Sequence, residues 1–278
     1  MRQRPQAQIG IFGGSGFYDL LKKGREIEIK TPYGRPSDKI FLGEYKDRKI
    51  AFLPRHGKGH QFPPHLIPYR ANLYAFKMLG VKYILAPVAA GSLQAKIKPG
   101  DFVVCDQFID RTYGRETTYF EGPKTKNKFS PAKIVHISPV NPYCPYLRSI
   151  AIAAGKKMKI KIHPKGTVVV INGPRFASRA ESEYYQKQGW EVINMTQYPE
   201  CVLAKELTMC YLNISLITDY DAGLIGQKGI KAVSVEAVLK VMKDNNARVK
   251  KLLLEIINNI SDKAACNCDQ ALKDAVIN

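Results

Sequence analysis

The feature that most constrains this chain is a repeated change of hydrophobic period. Short apolar runs of strand length alternate with stretches whose apolar residues recur at helical spacing. The runs predict strands at Ala7–Phe12, Lys49–Leu53, Tyr83–Val88, Phe102–Cys105, Gly166–Asn172, Val192–Met195 and Asn213–Asp219. The helical stretches are Tyr69–Leu79, Pro145–Lys157, Arg179–Gln188, Pro199–Met209 and a long one at Val235–Ile260. In the last of these, Val235, Val238, Leu239, Met242, Val249, Leu253, Ile256 and Ile257 fall on one face. Such alternation predicts an α/β layer structure around a largely parallel sheet. No Pro/Gly/Ser linker divides the chain and no internal repeat is found, so residues 1–278 read as one domain. Residues 261–278 are expected to form a short tail, and the polar, basic segment Glu121–Lys133 an exposed loop.

Composition removes several classes. Fifteen Tyr, 11 Phe and many β-branched residues give too much apolar surface for a disordered chain. No apolar run approaches the roughly 20 residues needed to span a bilayer. The N-terminal Met-Arg-Gln-Arg-Pro-Gln has no apolar stretch behind it, so no secretory signal is expected and the cytoplasm is the expected location. Lys and Arg number 43 against 24 Asp and Glu, a formal charge of +19. That charge suits a nucleic-acid partner, a field that collects an anionic substrate, or a solvated surface. The basic clusters are scattered and carry little aromatic interleaving, which favours the solvated surface. The C-x-C pair Cys266–Cys268 has no second Cys or His pair near it at ligand spacing, so it is not read as a zinc signature.

The residues that can carry chemistry stand at strand ends. Gly13-Gly14-Ser15-Gly16 follows the first strand. Glycines there let several N–H groups converge on one anion, although a plain tight turn explains them equally well. The spacing is neither a dinucleotide fingerprint nor a P-loop. Arg55, His56 and His60 lie in PRHGKGH, directly after the second strand. The Arg fork matches phosphate oxygens, and strand ends are where open α/β sheets bind ligands. Asp219 and Asp221 follow the strand NISLI as a D-x-D pair. Their repulsion raises one pKa, and a protonated carboxyl donates to a ring nitrogen while its neighbour accepts from an exocyclic amine. A metal site or an N-cap remain open for the same pair. Phe176 offers an aromatic face and Thr196 a hydroxyl at two further strand ends. The set describes a site for phosphate and a purine, hence phosphorolysis of an N-glycosidic bond. No motif for covalent nucleophilic catalysis or metal hydrolysis is present.

As a set, GIFGGSG, PRHGKGH, AAGSL, PGDFVVCDQFIDRT, GPRFASRAES, NMTQYPE and TDYD resemble the 5′-methylthioadenosine phosphorylases of the trimeric purine nucleoside phosphorylase superfamily. The resemblance implies a three-layer αβα fold with a mixed, partly barrel-like central sheet. It implies phosphorolysis of S-methyl-5′-thioadenosine to adenine and 5-methylthio-ribose 1-phosphate, in purine and methionine salvage, by homotrimers or dimers of trimers. It implies no metal and no organic cofactor, with inorganic phosphate as co-substrate. Carried over by motif, Ser15, Arg55, His56, Ala89 and Thr196 hold phosphate. Met195 and His60 approach the ribose, and Phe176, Asp219 and Asp221 face the adenine. Val235, Val238 and Leu239 meet the methylthio group, and His136 reaches a neighbouring subunit's 5′ pocket.

The chain departs from that pattern in places. Val88 stands where the family has a hydroxyl, Asn172 replaces a Glu and Ala177 replaces a Ser. Cysteines matching bridged positions of thermophilic members imply a Cys144–Cys210 disulfide, with Cys105 and Cys201 as buried free thiols. Competing readings are a purine nucleoside phosphorylase acting on adenosine, inosine or guanosine, and a basic RNA-binding protein.

Overall fold

The structure is a computed structural model, and it describes residues 7–13, 21–227, 230, 234–261 and 265–277. In chain order the first elements are β1 (Ile9–Gly13), β2 (Lys22–Ile27), β3 (Ile40–Tyr45), β4 (Arg48–Pro54), α1 (Tyr69–Leu79) and β5 (Tyr83–Ser92). Then come β6 (Phe102–Val103), β7 (Gln107–Arg111), β8 (Ile134–Val135), α2 (Pro145–Lys157), β9 (Ile162–His163) and β10 (Thr167–Ile171). The chain continues through α3 (Arg179–Lys187), β11 (Val192–Asn194), α4 (Gln197–Glu206), β12 (Cys210–Tyr220), α5 (Val235–Asn259) and β13 (Val276–Ile277).

Eleven strands form one sheet, with the path β2-β3-β4-β1-β5-β11-β10-β7. A branch runs from β5 through β12 and β6 to β9, so β5 is bonded to three strands along its length. The sheet is mixed. β1 is parallel to β4 and β5, and β12 is parallel to β5, while β2-β3, β3-β4, β11-β5 and β12-β6 are antiparallel. The expected strands and helices are present, with shifted ends. The antiparallel edge β2-β3 and strand β7 lie outside the sequence expectation. The edge strands KKGREI and QFIDR have less to bury, and IFLGEY between β2 and β4 keeps only Ile40 fully buried, so none gives a long apolar run.

Alternation along the central strands explains the layers. Ile9 and Ile11 of β1, Ile50 and Phe52 of β4, and Tyr83 and Leu85 of β5 pack with α2 and α5. The intervening Phe12, Ala51, Leu53, Ile84 and Ala86 pack with α1 and α4. Both faces of these strands are therefore buried, which is why they read as continuous apolar runs. At Gly10 a β-carbon would stand 2.9 Å from the Phe76 ring, so the glycine is what lets α1 lie close to β1. A third, smaller core gathers Leu93, Val169, Ile171, Tyr185 and Ile193 beneath α3.

Local signals fix the helix ends. Pro145 begins α2 after Cys144 at the N-cap. Ser178 and Glu181 form a capping box on α3. Ser234 Oγ accepts from the Ala237 N–H at 3.1 Å to open α5. The face expected along α5 divides in two. Val249, Leu253, Ile256 and Ile257 are core residues, joined by Leu252, whereas Val235 and Leu239 are 62% and 63% exposed. No helix among the described residues is long and apolar enough to cross a membrane.

The expected Cys144–Cys210 disulfide is not formed: all six cysteines are free thiols. Cys144 and Cys210 do approach one another, but the tail folds back onto the start of β12 and brings Cys266 and Cys268 into the same cluster. Cys210 Sγ consequently lies 3.5 Å from Cys266 Sγ. Cys105 and Cys201 are buried free thiols, as expected.

Candidate active site

Because β1, β4, β5 and β12 are mutually parallel or share a parallel neighbour, their C-terminal ends lie along one edge. Gly13, Arg55, Ala89–Ser92 and Asp219–Asp221 are thereby delivered to a common region. β11 runs antiparallel to the end of β5, with Val192 opposite Ser92 and Ile193 opposite Gly91. Its continuation carries Met195 and Thr196 back alongside β5 towards Ala89. Ser15 and its flanking Gly14 and Gly16 lie outside the described residues.

Arg55 is buried at this edge. Its Nε and one terminal nitrogen donate to the two carboxylate oxygens of Glu200 on α4, at 2.5 and 3.1 Å. The other terminal nitrogen donates to the Pro87 carbonyl at 3.3 Å. The Phe12 ring lies 5.1 Å below the guanidinium. Burial disfavours the charge, but the Glu200 carboxylate outweighs it and Arg55 is held firmly as a cation. Glu200 is in turn fixed by the Tyr211 hydroxyl, which donates to Oε2 at 2.6 Å. These bonds take three of the five N–H donors of Arg55 and leave two for an anion.

His56 follows directly. Its ring stacks on His60 at 4.4 Å between centroids, and Nδ1 lies 2.8 Å from the Phe62 carbonyl. Burial chiefly, helped by the charge of Arg55, pushes its pKa down to about 4. The ring is therefore neutral near pH 7, donating from Nδ1 and presenting Nε2 as an acceptor. An acceptor complements a phosphate hydroxyl rather than a bare phosphate oxygen. His60 is exposed and holds a left-handed backbone, with φ of 54°.

Thr196 is the N-cap residue of α4, and its buried Oγ1 has no partner among the described residues. An unpaired buried hydroxyl at a helix N-terminus has the chemistry of an anion or sugar ligand. Asn194 Oδ1 accepts at 3.4 Å from the N–H groups of both Thr196 and Gln197. Met195 is half-buried, and its carbonyl accepts from Arg115 at 2.9 Å. Arg115 also donates to the Asn172 carbonyl at 2.8 Å, so one guanidinium ties the ends of β10 and β11.

Asp219 and Asp221 flank Gly91. Between Ile217 and Asp219 the pairing of β12 with β5 shifts register, with Thr218 the extra residue. Such a bulge re-aims the side chains beyond it. A β-carbon on Gly91 would stand 3.2 Å from Asp219 Oδ2 and 3.6 Å from the Asp221 β-carbon. Burial raises the Asp219 pKa, against a 2.7 Å hydrogen bond from the Thr218 hydroxyl. Burial first, and then the neighbouring Asp219 charge, raise Asp221 to about 6. Asp221 Oδ2 has no partner among the described residues. The arrangement has no third carboxylate or imidazole gathered as a metal site; the one such group among the described residues is the cysteine cluster.

A match to the family profile described as the Phosphorylase superfamily extends over residues 8–258. The chain belongs to that superfamily. It is 45% identical to the S-methyl-5′-thioadenosine phosphorylase of Thermofilum pendens, covering 98% of this chain and 99% of the relative. It is 44% identical to a purine nucleoside phosphorylase of Streptomyces coelicolor, covering 98% and 96% respectively. The crystal structure of a methylthioadenosine phosphorylase from an antarctic soil metagenomic library superposes with a TM-score of 0.89 at 37% identity, over 99% of this chain and 93% of that one.

Within this superfamily member, direct contacts join Arg55, Glu200 and the Pro87 carbonyl, and Gly91 joins the two aspartates. Register brings Ala89 opposite Leu216. Phe176 is 41% exposed on the loop after β10, an aromatic face left open. Val238 is half-buried at the start of α5. His136 is exposed, and its N–H donates to the Ala275 carbonyl. Glu200, Tyr211 and Arg115 were missed by sequence reasoning. A single carboxylate in the apolar run Pro199–Leu203 was the available signal for Glu200, since a buried charge needs a partner. Arg115 sits in a loop and gave no periodic signal.

Proposed function

We propose that this chain catalyses phosphorolysis of S-methyl-5′-thioadenosine, giving adenine and 5-methylthio-ribose 1-phosphate. The observation that carries the reading is the pair of pKa-raised carboxyls across Gly91, Asp221 buried and Asp219 half-buried, on the same sheet edge as a buried cationic Arg55. Phosphate is held by the two free donors of Arg55, by the Thr196 hydroxyl at the start of α4, and by the segment containing Ser15. Ala89 leaves room for it, and the neutral His56 accepts from a phosphate hydroxyl. The bond from C1′ to N9 breaks first, and charge develops on the ribose. Phosphate stabilises that charge electrostatically, then forms the new C1′–O bond. The electron pair departs with adenine, and N7 takes a proton from Asp219. Asp221 accepts from the exocyclic amine and sets the choice of base.

Phe176 stacks on the adenine, and Met195 and His60 lie along the ribose. The 5′ methylthio group meets Val235, Val238 and Leu239, with His136 supplied by a neighbouring subunit. A 5′ pocket completed by His136 of a neighbouring subunit requires an assembly of copies, a homotrimer or a dimer of trimers, and the exposed Val235 and Leu239 leave that side of the pocket open to a neighbour. The six free thiols accord with a reducing cytoplasm. No cofactor is required.

The 44% identity to a purine nucleoside phosphorylase keeps a second reading, a broader nucleoside phosphorylase. Relative kcat/KM on methylthioadenosine, adenosine and inosine tests both. The first reading expects methylthioadenosine to lead and inosine to be poor, because Asp221 offers an acceptor where inosine presents a carbonyl. Inosine as the best substrate would overturn it.

A further inference from the structure

The four-cysteine cluster lies far from the site just described. Cys210 and Asp219 stand nine residues apart on β12, about 30 Å at the usual strand rise. Cys144 and Cys210 are buried, and Cys266 and Cys268 are half-buried against the core under α2 and α5. All four sulfurs lie within 4.8 Å of one another, and Cys210 Sγ is 3.5 Å from Cys266 Sγ. A tetrahedral zinc ion with bonds of about 2.3 Å sets its sulfurs about 3.8 Å apart. No separation in the cluster exceeds that value by more than about 1 Å. One central ion needs all six separations to be short together; here none exceeds 4.8 Å and no bridge is formed.

We propose that Cys144, Cys210, Cys266 and Cys268 form a closed structural site for one zinc ion per chain. Four thiolates are soft ligands, and a tetrahedral set of four sulfurs selects zinc among the common divalent ions. With all four positions taken by protein there is no open place for water, so the ion is structural and not catalytic. Binding converts four thiols to thiolates and releases four protons. The N-cap position of Cys144 on α2 favours the negative charge its thiolate brings.

The site adds the tail to two parts of the chain that already meet: the start of α2 and the start of β12, where the Cys144 N–H donates to the Tyr211 carbonyl at 2.9 Å. The tail is also tied beyond the cluster, where β13 pairs with β8. Zinc would fix its near end as that pairing fixes its far end. The C-x-C pair alone gave no such signal, because its two partners lie 122 and 56 residues upstream, at positions only the fold connects (266 − 144 and 266 − 210).

The test uses full-length protein purified without oxygen and without an immobilised-metal column. Zinc is measured per chain, and the stripped protein is titrated with Co2+ as a probe. The expected result is one tightly held zinc per chain. Cobalt should show sulfur-to-metal charge-transfer absorption and the visible bands of a tetrahedral tetrathiolate. Cys268→Ala, in the half-buried tail, should lose both signals and keep its methylthioadenosine turnover. Three results would overturn the site: no stoichiometric zinc and no thiolate spectrum while all four thiols titrate; zinc retained unchanged by Cys268→Ala; or Cys144–Cys210 and Cys266–Cys268 disulfides in the anaerobic protein.

Discussion

At the residue scale, the account rests on what Arg55 and the two aspartates do in a buried setting. Arg55→Ala should raise the phosphate KM strongly and leave methylthioadenosine binding nearly intact. It also strands Glu200, and breaking a buried pair costs about 3–5 kcal/mol, so the melting temperature should fall as well. Glu200→Gln separates the effects, since it keeps the shape and Arg55 but loosens the fork. Phosphate saturation unchanged in both variants would place the anion elsewhere. Asp219→Ala should cut kcat by about 100-fold or more, because the leaving base loses its proton donor. Asp221 gives a pH signature. Its folded pKa of about 6 lies above the ordinary 3.8. Its stabilising protonation is complete below the ordinary value and is lost as pH rises through 6. At pH 8 the ionised form therefore costs about 3 kcal/mol. His56, lowered to about 4, works in the opposite direction over the same window. The difference between wild type and Asp221→Asn isolates the carboxyl. Asn should be the more stable at pH 8, with the gap closing towards pH 4. A gap independent of pH would mean that Asp221 is not held up by burial.

At the element scale, the two halves of α5 should respond differently to substitution. Leu253 is fully buried against the sheet, and Leu253→Ala should cost about 2–5 kcal/mol in a melting experiment. Val235 is exposed, and Val235→Asp should change stability by less than about 0.5 kcal/mol while raising the KM for methylthioadenosine more than that for adenosine. Equal effects on the two nucleosides would mean that this half does not face the 5′ position. Strands buried on both sides, such as β1 and β5, were legible as apolar runs, and α1, buried on one face, as a 3.6 period. The edge strand β2 and its neighbour β3 were not, because strands with one face towards solvent mix charged residues into the run. The strand-end residues Arg55, Asp219 and Asp221 were legible as polar groups placed directly after such runs. Glu200 and Arg115 were not, since their roles depend on partners 145 residues away for the first and 57 and 80 residues away for the second, which only the fold supplies.

At the scale of the whole molecule, the +19 charge and the exposed apolar side chains acquire a common reading. On the proposed function the charge draws phosphate towards Arg55, and the exposed Val235 and Leu239 are kept for the methylthio group on the side from which a neighbouring copy brings His136. Sedimentation at working concentration should show an assembly of three chains or a multiple of three; a monomer would remove His136 from the 5′ pocket. The measurement that bears most directly on the central claim is the phosphate dependence of adenine release from methylthioadenosine, with the sugar product identified. The account predicts saturable dependence on phosphate, and one 5-methylthio-ribose 1-phosphate formed for each adenine. Adenine released at the same rate without phosphate, with free 5-methylthio-ribose as the product, would contradict it.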